Sequence, residues 1–446
     1  MVEKQTKQNI FWLWSDVIDF QKRGDVAYWL SEYFLPATAR LTNKLSDVAR
    51  LSDLKFNPNR NQNDRFFYID ISNINTSDGS YEKTEIKNAY APLRARKKLE
   101  RFDVIVSMVR PNRNATSIIL ENTNDLVCST GFAVLKAIKI NPYYLFIFTK
   151  TSYFIDQLVR QTSATMYPAV NENDVLGVRF SIPSEKEQQK VERIVQEVFQ
   201  LKKEAEADYQ KLQRLLNEAF GLTSNEIKQK LTFWRWNDEV DIVSRIDPDY
   251  YIKGYMQLAI TKSIKLEPLS KFILSYSGGY TFETEKYLSD GIPIIRIKDL
   301  NYPEIKKPED AFFADLPELQ RFMAKPDDIL ISMSGTIGLS AIVPKELSRC
   351  YINQRITAIT TKGINKFYLL AFLNSSFYRN ELEKIGTGGV QTNVSYKQII
   401  SLSIPRLGNK EEIIGNLLKG FIEKNKESNK KLQEAKEFVE NLIFKE

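Results

Sequence analysis

Among its 446 residues the chain has no histidine and only two cysteines. The first absence excludes Ser-His-Asp and Cys-His catalysis, His-ligated zinc and imidazole general bases. The second excludes four-cysteine zinc and a disulfide framework, so Cys128 and Cys350 point to a reducing, cytoplasmic setting. No apolar run approaches the ~18 residues that a membrane span requires. The start, Met1 to Ile10, is polar and lacks a signal-peptide core. The net charge of +7 is a moderate basic bias, which needs a located patch before a polyanion partner follows from it.

What is present is present twice. Phe11, Trp12, Trp14, Asp16 and Asp19 return as Phe233, Trp234, Trp236, Asp238 and Asp241, 222 residues on. Arg23, Asp25, Tyr28 and Tyr33 return as Arg245, Asp247, Tyr250 and Tyr255. Further on, Leu45-Ser46 matches Leu269-Ser270, Asp103 to Met108 matches Asp328 to Met333, and Ile182-Pro183 matches Ile404-Pro405. A period this long marks a duplicated domain rather than a solenoid, and two copies imply two sites related by a pseudo-two-fold axis.

Each half reads as a mixed α/β globule followed by one long helix. Strand signals lie at Phe66 to Ile69, Val104 to Met108 and Phe132 to Ile138, all rich in aromatic and β-branched residues. Asn141-Pro142 opens a helix, with asparagine as cap and proline at the first helical position. Asn141-Pro142-Tyr143-Tyr144 superficially resembles a methyltransferase Asn-Pro-Pro-aromatic motif. Its repeat partner, Asn365-Lys366-Phe367-Tyr368, lacks the proline, which favours capping. The expected boundaries are a first domain at 1–183, a helix at 184–221, a linker at 222–232, a second domain at 233–405 and a second helix at 406–446.

The long helices carry heptad stripes. The first runs Val191, Ile194, Val198, Leu201, Ala205, Leu212, Leu215 and Ala219, with a polar layer at Asp208. From Glu187 to Phe220 it would span about 51 Å at ~1.5 Å per residue. The second runs Ile414, Leu417, Phe421, Asn425, Ser428, Leu432, Ala435, Val439 and Leu442. A stripe needs a partner to cover it. The economical solution pairs the two helices antiparallel, which would hold the globules a fixed distance apart. That arrangement suits touching two separated positions on duplex DNA, whose major groove recurs every ~34 Å.

The best basic cluster is Arg94, Arg96, Lys97, Lys98 and Arg101, joined by Arg110 and Arg113, a net of +5 over residues 91–113 once Glu100 and Asp103 are counted. Arginine reads guanine and asparagine reads adenine by paired hydrogen bonds, so Arg110, Asn112 and Arg113 are candidate base contacts. Lysines better suit phosphates. In the second half the corresponding loops hold Ser334 and Thr336, and Thr387, Gln391 and Asn393; Arg296, Lys298 and Arg355 complete the candidates. The glycines at 335–338 and 386–389 form neither a P-loop nor a dinucleotide fingerprint. Framework motifs match between the halves while the loops match poorly, as one scaffold with two specificities would require.

With these motifs in order, the chain resembles the specificity subunit of Type I restriction–modification systems. The resemblance rests on Arg245 to Tyr251, Leu269-Ser270, Gly291 to Arg296, Asp327 to Ser332, Gly386-Thr387-Gly388, Ser129 to Phe132 and Ile404-Pro405. The first half departs from it at Arg23 to Trp29. The resemblance implies an α/β (α+β) fold with two target-recognition domains separated by two long antiparallel coiled-coil helices. It implies a bipartite, asymmetric duplex DNA site and docking of two methyltransferase (modification) subunits and restriction motor-nuclease subunits. Val191, Val198, Leu212, Ile414, Phe421 and Leu432 are the expected spacer and docking positions. It further implies no active site, no metal and no cofactor on this chain, with S-adenosylmethionine, ATP and Mg on the partners, and no membrane. A coiled-coil adaptor without DNA contact, or a stand-alone Mg-dependent nuclease or methyltransferase, are the alternatives.

Overall fold

A computed structural model describes residues 43–61, 63–122, 125–162, 168–220, 264–385 and 393–444. The repeated tryptophan motif lies outside the described residues, as do Thr387 and Gln391. The chain divides into two compact units, one of Met1–Leu201 with Glu427–Glu446, the other of Lys202–Lys426.

The described part of the first unit contains ten strands: β1 (Asn43–Lys44), β2 (Ala49–Leu51), β3 (Arg65–Ile69), β4 (Thr84–Lys87), β5 (Ala95–Lys98), β6 (Val104–Ser107), β7 (Thr116–Ile118), β8 (Leu126–Ser129), β9 (Phe132–Ala137) and β10 (Arg179–Phe180). They form two four-stranded sheets, ordered β2-β9-β6-β7 and β4-β3-β8-β5, and a β1-β10 pair. The strands pair antiparallel except β3 with β8.

The second unit follows the same plan. Its strands are β11 (Lys265–Pro268), β12 (Ile273–Gly278), β13 (Ile292–Ile295), β14 (Phe312–Phe313), β15 (Met323–Ala324), β16 (Ile329–Ser332), β17 (Ser340–Ile342), β18 (Cys350–Ile352), β19 (Ile356–Thr361) and β20 (Ser403–Arg406). The sheets run β12-β19-β16-β17 and β14-β13-β18-β15, with a β11-β20 pair. Every strand keeps its place ten numbers on, and the parallel pair recurs as β13 with β18. The two cysteines occupy equivalent strands, β8 and β18; both are fully buried, and burial pushes each thiol up to about 12. They pack as small apolar side chains, not as reactive thiols.

Against one sheet of each unit lies a helix that is apolar all round, α1 (Pro142–Lys150) in the first and α5 (Lys366–Leu373) in the second. Such a helix has to be covered on every side. The long helices α4 (Glu185–Ala219) and α8 (Asn409–Phe444) supply part of that cover. The intervening helices are α2 (Ser152–Arg160), α3 (Glu172–Leu176), α6 (Ser376–Ile385) and α7 (Tyr396–Ser401). The asparagine caps are as the sequence predicts, and they also dock. Asn141 accepts from the Tyr143 amide and donates through Nδ2 to Glu192 of α4 at 2.7 Å. Asn365 accepts from the Phe367 amide and donates to Glu412 of α8 at 2.8 Å. Here α8 comes so close that a Cβ on Gly415 would fall 2.3 Å from Asn365 Oδ1. A side chain so occupied is a cap, not a catalytic amide.

Both units contain a piece of each long helix, and within each unit the pieces run antiparallel. In the first, Lys190 lies over the Phe438 ring, Glu197 pairs with Lys431 at 2.7 Å, and Ser428 donates to the Val198 carbonyl at 3.3 Å. In the second, Asp208 pairs with Lys424 at 2.8 Å and Tyr209 packs on Phe421 with ring centroids 5.0 Å apart. The seam departs from the predicted register. The buried positions of α4 are Val191, Val195, Val198, Ala205 and Leu212, then Leu216. Ile194, Leu201, Leu215 and Ala219 are only half-buried. Asp208 is therefore at the flank, and Tyr209 takes the seam position. In α8, Leu418 and Ile422 are buried where the heptads predict Leu417 and Phe421. The apolar stripe is wider than a strict two-position heptad, and packing against a globule, not the sequence pattern alone, selects its centre.

This register is testable by truncation. Leu212→Ala, at a fully buried position, is expected to cost about 2–5 kcal/mol in urea unfolding. Leu215→Ala, at a half-buried one, should cost about 1 kcal/mol. Equal losses would restore the seam that the heptads predict.

Candidate nucleic-acid interface

Two loops that the sequence singles out in each half lie side by side. After β6 the chain turns at Arg110, whose amide donates to Pro168 at 2.7 Å, and Val109 bridges Ala169. After β16 the amide of Val394 donates to the Met333 carbonyl at 2.9 Å, and Ser334 bridges Asn393. The repeated Asp-x-x-x-Ser motif shapes the chain at both ends of these strands, the Asp before them and the Ser in the turns after them. Asp103 and Asp328 accept from the amides of Glu100 and Lys325, at 2.8 and 3.0 Å. Ser107 Oγ donates to the Val109 carbonyl at 2.9 Å, and Ser332 Oγ donates to the Thr336 carbonyl. These side chains are committed to local backbone geometry.

In the first unit the loop is a short 3-10 turn, Pro111–Arg113, held between two residues in the left-handed region, Arg110 at φ 48° and Asn114 at φ 51°. Such backbone is costly for non-glycine residues and occurs where surroundings enforce it. Pro111 is buried as the anchor, while Asn112 and Arg113 are exposed. The Arg113 side chain makes no hydrogen bond or ion pair among the described residues. The corresponding turn of the second unit exposes Thr336 but buries Ser334.

The basic run 94–101 is not one surface. Residues 95–98 form β5, so neighbouring side chains alternate between its faces. Lys97 turns away to Glu172 at 2.5 Å and to the Phe132 carbonyl at 2.6 Å. Arg96 and Lys98 line a groove of about 670 Å³ opposite residues 55–61. Arg94 is exposed. In the second unit Arg296 is engaged by Asp299 and Asp310, and Lys298 by Asp310, whereas Arg355 and Asn393 are exposed.

That groove contains residues that the sequence pattern does not single out: Lys55, Asn57, Asn59, Arg60 and Asn61. A signal for them exists all the same. The tetrapeptide Pro-Asn-Arg-Asn occurs twice, at 58–61 and at 111–114, and both copies fold into 3-10 turns with an exposed arginine.

Of the expected spacer and docking positions, Val191, Val198, Leu212, Ile414 and Leu432 are buried inside their own unit and Phe421 is half-buried. The five buried ones lie in the cores of their units and offer no outer surface. No helix among the described residues is long and apolar enough to cross a membrane, and no described cluster of His, Cys, Asp or Glu would hold a metal ion.

Residues 264–437 match the Type I restriction modification DNA specificity domain family. The match spans 174 of the 446 residues and lies in the second half of the chain. Comparison with curated proteins returned no match. Among solved structures, the chain is similar to the HsdS subunit from Thermoanaerobacter tengcongensis, at 20% identity over 90% of this chain and 95% of that one, with a TM-score of 0.34. It is also similar to the S subunit of a Type I restriction–modification system from M. genitalium, at 10% identity over 91% and 96%, with a TM-score of 0.46. A third structure, from work on complex assembly and conformational transition of the type I R-M system, has 19% identity over 90% and 96%, with a TM-score of 0.35.

One buried cation supports the first-unit turn from behind. Lys150, 5% exposed, donates to the carbonyls of Thr76 at 2.7 Å and Asn114 at 3.4 Å. Burial lowers its pKa to about 8, with Lys436 acting in the same direction and Asp78 opposing. The folded value lies below the unfolded one, so the folded chain binds fewer protons between pH 8 and 10.5. The penalty for holding the ammonium is complete below pH 8 and is relieved as pH rises through that window. Relative to Lys150→Met, the native chain should therefore gain on the order of 3 kcal/mol across it, read from urea unfolding at several pH values. Parallel pH profiles for the two proteins would contradict this.

Proposed function

We propose that the chain is the DNA-reading, non-catalytic subunit of a Type I restriction–modification complex, and that each compact unit reads one half of a bipartite, asymmetric duplex site. The observation that carries the reading is the pairing of one scaffold with two loop chemistries. The strand order is the same in both units, yet the turn after β6 presents Asn112 and Arg113 where the turn after β16 presents Gly335 and Thr336. Rigid elements with exchanged loops are how one fold acquires different specificities.

In this reading Arg113 and Asn112 approach base edges in the first half-site, and Thr336, Arg355 and Asn393 serve the second. Two methyltransferase subunits, and motor-nuclease subunits for cleavage, dock on the outer faces of α4 and α8, since the inner faces are used within the units. S-adenosylmethionine, ATP and Mg belong to those partners, and the chain itself carries no cofactor and works in the cytoplasm.

Selection of bound sequences from a random duplex pool, with the modification subunits present, tests this. The native chain should yield a split motif. Arg113→Ala should relax one position of one half only, at about 1–3 kcal/mol for each base interaction removed. An unsplit motif, or identical motifs and affinities for both proteins, would count against the reading.

A further inference from the structure

The groove beside β5 has a chemistry that the second unit does not share. Its cations are Lys55, Arg60, Arg96 and Lys98, and no carboxylate lines it among the described residues. Lys55, Arg60 and Lys98 make no side-chain hydrogen bond or ion pair there. Four described cations elsewhere in the same unit are neutralised: Arg65 by Glu85, Lys83 by Glu121, Lys97 by Glu172 and Lys136 by Glu100. A row of unneutralised cations thus sits where the fold had the means to place partners.

The groove is also built stiffly. Residues 54–56 run alongside β5, with the Phe56 amide donating to Arg96 at 2.8 Å and the Lys98 amide donating to Leu54 at 3.2 Å. The Phe56 ring is buried against Phe66, 4.7 Å between centroids, and fixes the floor. Asn57 caps the next turn through the Asn59 amide at 3.0 Å, and Asn61 Nδ2 donates to the Asn88 side chain at 3.3 Å. The cations therefore stand on a pre-set frame, which lowers the ordering cost of engaging a rigid polyanion.

The corresponding stretch of the second unit, between β12 and β13, also forms a 3-10 turn, Thr284–Lys286. It carries Glu283 and Glu285, and its single cation, Lys286, is paired with Glu283 at 2.9 Å. The partner strand β15 has two residues, neither charged, in place of the four of β5.

Resting on the DNA-reading function proposed above, we infer that this groove is a phosphate-backbone clamp for duplex DNA, and that the matching stretch of the second unit forms no such clamp among the described residues. Its ligand is the sugar–phosphate backbone, so it contributes affinity and register without base specificity.

Binding of the full-length chain to a mixed-sequence DNA duplex, followed by fluorescence anisotropy over a salt series, tests this. Removing one phosphate interaction lowers the salt slope by about 0.9. The combined variant Lys55→Gln, Arg60→Gln, Lys98→Gln is expected to flatten the slope by roughly two to three. Lys286→Gln should leave it unchanged. All three groove positions are at least partly exposed, and a thermal melt matching the native chain shows the fold intact. A native slope retained by the triple variant, or an equal flattening by Lys286→Gln, overturns the inference while leaving the DNA-reading function standing. Absence of any salt-dependent duplex binding by the native chain overturns that function itself. Preferential loss of RNA-duplex binding would reassign the groove to RNA.

Discussion

The constraint on which the molecule depends is the need to cover an all-apolar helix in each unit. Neither α1 nor α5 has a polar face, so a sheet alone leaves one side of each in water. The cover comes from two long helices whose contributing segments are far apart in sequence. Val191, Val195 and Val198 join Leu432, Ala435 and Val439 over the first core, and Leu212 and Leu216 join Ile414, Leu418 and Ile422 over the second. The last segment of the chain is thus as much a part of the first unit as the strands that precede α4.

That arrangement frees the rest of the surface. With the sheets and the helix seam carrying the packing, the repeated Asp of the β6 and β16 motifs fixes the entry to each strand and the repeated Ser the turn beyond it. The turns themselves vary: a proline-anchored Asn-Arg turn in one unit, a glycine-flanked Thr turn in the other. Electrostatics varies with them. The first unit keeps a row of unpaired cations beside β5, while Arg296, Lys298 and Lys286 of the second are held by carboxylates. A duplicated frame has come to present two chemically distinct faces.

Much of this is legible in the sequence because it rests on local chemistry. The doubling, the strands at Phe66, Val104 and Phe132, and the caps at Asn141 and Asn365 follow from residue type and spacing. What escapes depends on neighbours distant in the chain. A run of alternating threes and fours has two possible centres one residue apart. Only the globule beneath it chooses Val195 and Leu216 over Ile194 and Leu215. The basic run at 94–101 reads as one patch until β5 is known to be a strand, when Lys97 separates from Arg96 and Lys98. The Pro-Asn-Arg-Asn turn at 58–61 does not stand out beside its copy at 111–114, because residues 55–61 gain their meaning only when β5 is set opposite them.

The claim that the distant helix segment completes the first core is tested most directly by amide hydrogen exchange on Val439→Asp, which places a carboxylate at a fully buried position of that core. Exchange should accelerate at residues 143–148 and 191–198, and protection at 329–331 and 368–373 should persist. Unchanged protection at 143–148 and 191–198, or an equal loss at both sets, would contradict it.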